Sequence, residues 1–104
     1  MNFIEAVYKL TSQFPKEELY GLTSQLKKAS VSISLNIAEG SGSESEVEFN
    51  RFLNIALRSA YEVICGIEVA KRLKFYNEEG LNNLQKQCDE ISAMLVGLKK
   101  CLKV

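Results

Sequence analysis

Residues 29–40 read Ala29-Ser30-Val31-Ser32-Ile33-Ser34-Leu35-Asn36-Ile37-Ala38-Glu39-Gly40, and the fold turns on how this run is taken. At 3.6 residues per turn, Leu22, Leu26, Ala29, Ile33 and Ile37 fall in one stripe of a helix. Tyr20, Val31, Leu35 and Ala38 fall on roughly the opposite side. A helix apolar on two sides has to be covered on two sides. One cover is the core of the chain itself; the other is a further helix or a neighbouring subunit. Ser30, Ser32 and Ser34 are small enough to let another backbone approach, or they form a solvated face. Gly40 reads as a C-terminal cap, since glycine enters the left-handed region without a Cβ clash.

Outward from this helix, the pattern continues in both directions. Phe3, Val7, Leu10 and Phe14 share a face of a short helix over about 2–13, with Ile4 close by. Pro15 ends that helix or opens the next, and Glu17 and Glu18 suit the positive end of a helix dipole. The second helix is therefore expected over about 16–39. Ser41-Gly42-Ser43 makes a turn, and Ser43 or Ser45, each with a glutamate three residues on, matches a capping box.

The third helix is expected over about 44–73, with Phe49, Phe52, Leu53, Ala56, Ala60, Val63, Ile67, Ala70 and Leu73 inward. Val47, Tyr61, Cys65 and Val69 lie on its far side among Arg51, Arg58 and Glu62, a mixture that suits a subunit contact. Asn77 is a natural N-cap for a fourth helix over about 78–102, striped by Leu81, Leu84, Cys88, Ile91, Leu95, Leu98 and Leu102. No strand signal is present. The 104 residues form one domain, 1–104, and the expected fold is all-α: an antiparallel up-down-up-down four-helix bundle. The first helix is too short to cover the bundle's length, which leaves part of the groove between the second and fourth helices for a partner or a pocket.

Composition narrows the function. The chain carries 13 basic and 13 acidic residues, so nothing marks it as a strongly basic nucleic-acid binder. It has no histidine, which removes Glu-x-x-His metal pairs and a base for a nucleophilic thiol. Cys65, Cys88 and Cys101 show no C-x-x-C spacing and read as reduced, mostly buried thiols. Glu39 and Glu62 have no spacing that makes them a carboxylate pair. No enzyme activity, cofactor or metal is expected. No signal peptide and no membrane span is indicated, so a cytoplasmic location is expected.

Phe14-Pro15-Lys16-Glu17-Glu18-x-Tyr20-x-Leu22, Gln25, Lys28-Ala29, Ser32-Ile33 and Asn36-Ile37-Ala38-Glu39-Gly40 resemble a bacterial four-helix-bundle family. Its members are encoded in intervening sequences of large-subunit ribosomal RNA genes. Phe49, Arg51-Phe52-Leu53-Asn54-Ile55-Ala56-Leu57, Ser59 and Glu62 are similar to that family's third helix. The resemblance spans roughly residues 7–100. It implies a four-helix bundle without enzymatic activity and, by its relatives, a homopentamer. One such relative is the basic, nucleic-acid-binding accessory protein of diversity-generating retroelements. This chain departs in its short first helix, its neutral charge, and Arg58 where the family often has glycine.

The leading expectation is a homo-oligomeric, favoured as pentameric, scaffold or adaptor. Tyr20, Val31, Leu35, Val47, Tyr61 and Val69 would form the subunit contacts. Asn36, Glu39, Asn54, Ser59 and Glu62 are expected to form a polar network locking the second helix on the third. The alternatives are an RNA- or DNA-binding module and a small-ligand-binding bundle. The first would act through a ring of basic residues drawn from Lys27, Lys28, Arg51, Arg58, Lys71, Arg72 and Lys74.

Overall fold

A computed structural model describes residues 2–74 and 78–104. Four helices follow one another: α1 (Asn2–Thr11), α2 (Leu22–Ser41), α3 (Glu46–Leu73) and α4 (Glu78–Cys101). No strand occurs among the described residues. Asn77, expected as the cap of α4, lies with Phe75 and Tyr76 outside the described residues.

The chain is a four-helix bundle. Leu26, Ala29 and Ile33 of α2 pack with Ala60, Val63, Ile67 and Ala70 of α3, and these with Leu81, Leu84 and Cys88 of α4. Early residues of one helix thus meet late residues of the next, so neighbours run antiparallel. The molecule measures 44 × 22 × 21 Å. The 28 residues of α3 span about 42 Å at 1.5 Å per residue, so α3 alone runs its full length. α2 and α4 sit diagonally, the backbone of each flanked by α1 and α3, and their side chains meet in the core.

α1 closes only part of the bundle. Phe3, Val7, Leu10 and Phe14 are buried and join the main core. At the other end Leu53, Ala56 and Leu95 form a second core among α2, α3 and α4, with Ile37, Phe49, Leu57, Ile91 and Leu102 against it. α1 contributes nothing to that second core. The α4 stripe loses part of its cover there: Leu95 is buried, while Leu98 is exposed.

Several local expectations are corrected. The second helix does not start at Lys16. Lys16–Glu18 form a 3-10 turn, and α2 opens at Leu22 after Gly21. Pro15 and the two glutamates announce a helix start, but one that lasts a single turn. The Glu18 side chain still serves α2, its Oε1 lying 3.5 Å from the Leu22 amide. Gly40 is not a left-handed cap either. α2 continues to Ser41, its cap is Gly42 at φ −90 and ψ 0, and no glycine has positive φ. Gly40 is buried against α3, where a Cβ would stand 2.7 Å from Phe49 Cδ1 and 2.9 Å from Phe52 Cβ. It is required by the closeness of α3, not by its backbone angles. Of the two candidate caps for α3, Ser45 acts: its Oγ accepts the Glu48 amide at 3.1 Å.

α3 ends on Lys74 at φ 56 and ψ 38, with its amide bonded back to Ala70 and Lys71 carbonyls. Such a position favours glycine, and a lysine there carries strain.

Candidate functional site

The outer face of α2 is flanked by two open grooves. The first, of about 550 Å³, lies between α2 and α3. Leu22, Ala29, Tyr61, Cys65, Gly66 and Val69 give it an apolar floor, and Lys28, Arg58 and Glu62 stand at it. It exists because small residues hold α2 and α3 close: a Cβ on Gly66 would sit 2.5 Å from Leu26 Cδ2. The second groove, of about 560 Å³, lies on the other flank of α2, toward α1. Tyr8, Leu19, Tyr20, Val31 and Leu35 line it with Lys27 and Lys28, and no carboxylate does. Lys27 Nζ lies 4.8 Å from the centre of the Tyr8 ring, a cation–π contact. Lys28 and Ser32 border both grooves.

The residues expected at subunit contacts are distributed over these surfaces. Tyr20 is 92% exposed, Leu35 59%, Val47 63%, Tyr61 51% and Val69 44%, and Val31 is half-buried. Tyr20, Val31 and Leu35 belong to the second groove, Tyr61 and Val69 to the first. Val47 stands apart on the first turn of α3.

The expected polar network is brought together in part. Ser32 Oγ and Ser59 Oγ are 2.9 Å apart across α2 and α3. Asn36 Nδ2 donates to Ser32 O at 2.8 Å and to Ser32 Oγ at 3.0 Å. The hub is therefore Ser32, which sequence reasoning had not placed in the network. The i, i+4 spacing of Ser32 and Asn36 was its signal. Glu62 lines the first groove instead. Glu39 faces a concavity with Glu44 and Glu48 around Gly42. Asn54 is half-buried, and its side chain forms no hydrogen bond among the described residues.

The basic residues form no single stripe. Arg51 lies near one end of α3, 3.6 Å from Glu48, an exposed pair worth little. Lys71 donates to Gln85 Oε1 at 3.0 Å. Arg72 and Lys74 are exposed at the far end of α3, and Arg58 is exposed in the first groove.

The thiols differ from expectation: Cys65 and Cys101 are exposed, and Cys88 alone is buried. Cys88 Sγ lies 3.3 Å from Ala60 O as a donor. Burial, aided by the negative charge of Asp89, pushes its thiol from 9.0 up to about 12. Among the described residues no group of three or more His, Cys, Asp or Glu could hold a metal, and no helix is long and apolar enough to cross a membrane. The hollow between α1 and α4, lined by Ala6, Leu10 and Leu84, measures about 260 Å³, below the roughly 300–1,000 Å³ usual for small-molecule sites.

No curated protein matches the chain. Its structure is similar to a crystal structure of a protein with unknown function from the S23 ribosomal protein family of Bacteroides thetaiotaomicron. The two share 26% sequence identity at a TM-score of 0.82, over 93% of this chain and 88% of the other. The family model for the 23S rRNA-intervening sequence protein matches residues 1–97. With the motifs of α2 and α3 and the bundle itself in agreement, the chain belongs to the 23S rRNA-intervening sequence protein family.

Proposed function

We propose that this protein is a non-enzymatic homo-oligomeric scaffold or adaptor, in which α2 and α3 meet neighbouring copies. The observation that carries this reading is the outward apolar set of those two helices, Leu35, Val47, Tyr61 and Val69, with Tyr20 just before α2; all are exposed on the single chain. Scattered apolar residues on a surface need no explanation, but Tyr20 and Leu35 along one open groove, and Tyr61 and Val69 along the other, mark an interaction surface. A core-lining face and an outward apolar face on one helix follow when each helix packs once inside its subunit and once outside it. Five subunits is the number that the family resemblance implies.

Sedimentation velocity tests the reading. The wild-type chain is expected to sediment as an oligomer at micromolar concentration. Leu35→Glu, at an exposed position, is expected to yield helical monomers. A monomeric wild type would end the proposal.

A second reading, RNA or DNA association, rests on Arg58, Arg72 and Lys74, which are exposed and form no ion pair among the described residues. Assembly would repeat these cations around a ring, and affinity would then fall steeply with salt. A gel-shift titration from low to physiological salt tests this; absence of a shift at low salt rejects it.

A further inference from the structure

We infer that the groove around Tyr20 and Leu35 receives the acidic start of α3, with Val47 at its centre, from a second copy of this chain. The inference rests on the self-assembly proposed above and names which surface meets which.

The two grooves beside α2 differ in charge. The α2–α3 groove is bordered by both signs, Lys28 and Arg58 with Glu62, so charge selects no partner for it. The groove toward α1 is bordered by Lys27 and Lys28 and by no carboxylate. Its apolar wall, built from Leu19, Tyr20, Val31 and Leu35, asks for an apolar insert with negative flanks.

Among the described residues, the start of α3 is such an element. Val47 is exposed on the first turn of α3 between Glu46 and Glu48, with Glu44 just before it. Glu39, Glu44 and Glu48 line one concavity of about 570 Å³ around the turn that joins α2 to α3. Arg51 takes up part of the Glu48 charge, and Glu46 Oε1 accepts the Lys103 amide at 3.4 Å. Glu39 and Glu44 are exposed and make no hydrogen bond or ion pair among the described residues. They are the charges left to answer the two lysines.

The two surfaces cannot meet within one chain. Lys27 and Glu39 lie on the same straight helix, 12 residues or about 18 Å apart by helical rise. They can join only between copies, and a contact between two different patches closes into a ring when the rotation from copy to copy closes.

Three variants and the wild type, compared by sedimentation velocity with circular dichroism as the check on folding, decide the matter. K27E/K28E is expected to weaken association by more than about a hundredfold, since like charges then face each other. E39K/E44K is expected to do the same from the other side. The chain carrying all four changes is expected to recover the wild-type oligomer. A wild type that is already monomeric would overturn both the assembly and this contact. A wild-type oligomer that persists unchanged in K27E/K28E would overturn the contact and leave the assembly standing. Two dissociating double variants with no recovery in the fourfold chain would show that the patches act separately, which also overturns the contact.

Discussion

Replacing Gly40 by alanine puts two opposed effects in competition, and the structure says which one wins. In a helix interior alanine is favoured over glycine by up to about 1 kcal/mol. Gly40 lies one residue from the end of α2, so only part of that gain is available. Against it stands the space. The new Cβ would lie 2.7 Å from Phe49 Cδ1 and 2.9 Å from Phe52 Cβ, where carbon contacts prefer about 3.5–4.0 Å. The Phe49 ring has some freedom to turn. Phe52 Cβ is fixed to the backbone of α3, so α2 and α3 have to part by several tenths of an ångström or more. Overpacking of this kind costs about 1–3 kcal/mol. The expected balance is a loss of about 1–2 kcal/mol, or a melting temperature about 5–10 °C lower. Gly97→Ala is the control. Gly97 is exposed in α4 with nothing within 4 Å of its would-be Cβ, so the propensity gain of up to about 1 kcal/mol stands alone. Both variants should be melted by circular dichroism at one fixed concentration, because association raises apparent stability. If Gly40→Ala melts at or above the wild type, the close approach of α2 and α3 is not what Gly40 serves.

Lys74→Gly is expected to stabilise the chain by about 0.5–1 kcal/mol, read by thermal or urea unfolding. The left-handed conformation of Lys74 costs an L residue about 1–2 kcal/mol, part of which the entropy of glycine gives back. Cys88 makes stability depend on alkaline pH. Its thiol is held protonated to about 12 when folded, against 9.0 otherwise, so the folded state retains a proton that the unfolded state gives up. Stability from this group is therefore present below about pH 9 and lost as pH rises from about 9 toward 12. Urea midpoints across that window should fall more steeply for the wild type than for Cys88→Ala. Iodoacetamide at pH 8 should label Cys101, which is exposed, and spare Cys88 until denaturant is added.

The parts of the fold legible in the sequence were those set by burial with a helical period. Phe3, Val7, Leu10 and Phe14, then Leu26, Ala29 and Ile33, then Leu53, Ala56, Ala60, Val63, Ile67 and Ala70, are inside because a stripe at 3.6 residues per turn has one side to hide. Element ends were less legible, since the same residues carry two meanings. A glycine after a helical run serves equally as a cap or as a place where another helix comes close, and only the position of Phe49 and Phe52 separates the two at Gly40. Lys16-Glu17-Glu18 after Pro15 is a good first turn; that it stops after one turn depends on Gly21 and on where α1 delivers the chain. The polar network was legible only in part, through Asn36 and Ser59, for a related reason. Glu39, Asn54 and Glu62 sit in motif-like runs, but a hydrogen bond across two helices needs register. The register of α2 on α3 puts Ser32 opposite Ser59.

That register also accounts for the outward surface. Small residues at the α2–α3 contact make room for the facing helix: Gly40 for Phe49 and Phe52, Gly66 for Leu26, with the Ser32–Ser59 pair between them. The larger apolar residues of the same helices, and Tyr20 just before α2, then divide. Leu26, Ile33, Leu53 and Ile67 turn to the interior, while Tyr20, Leu35, Tyr61 and Val69 are left outside. Close packing and an exposed apolar face are thus one design. Widening the contact, as alanine at Gly40 would, should loosen the grooves as well as the fold. A variant that keeps its melting temperature but loses assembly would have to act at the rim, at Lys27, Lys28 or Leu35. A variant that loses both would act at the glycines. The two classes should separate cleanly if the small residues set the geometry and the large ones use it.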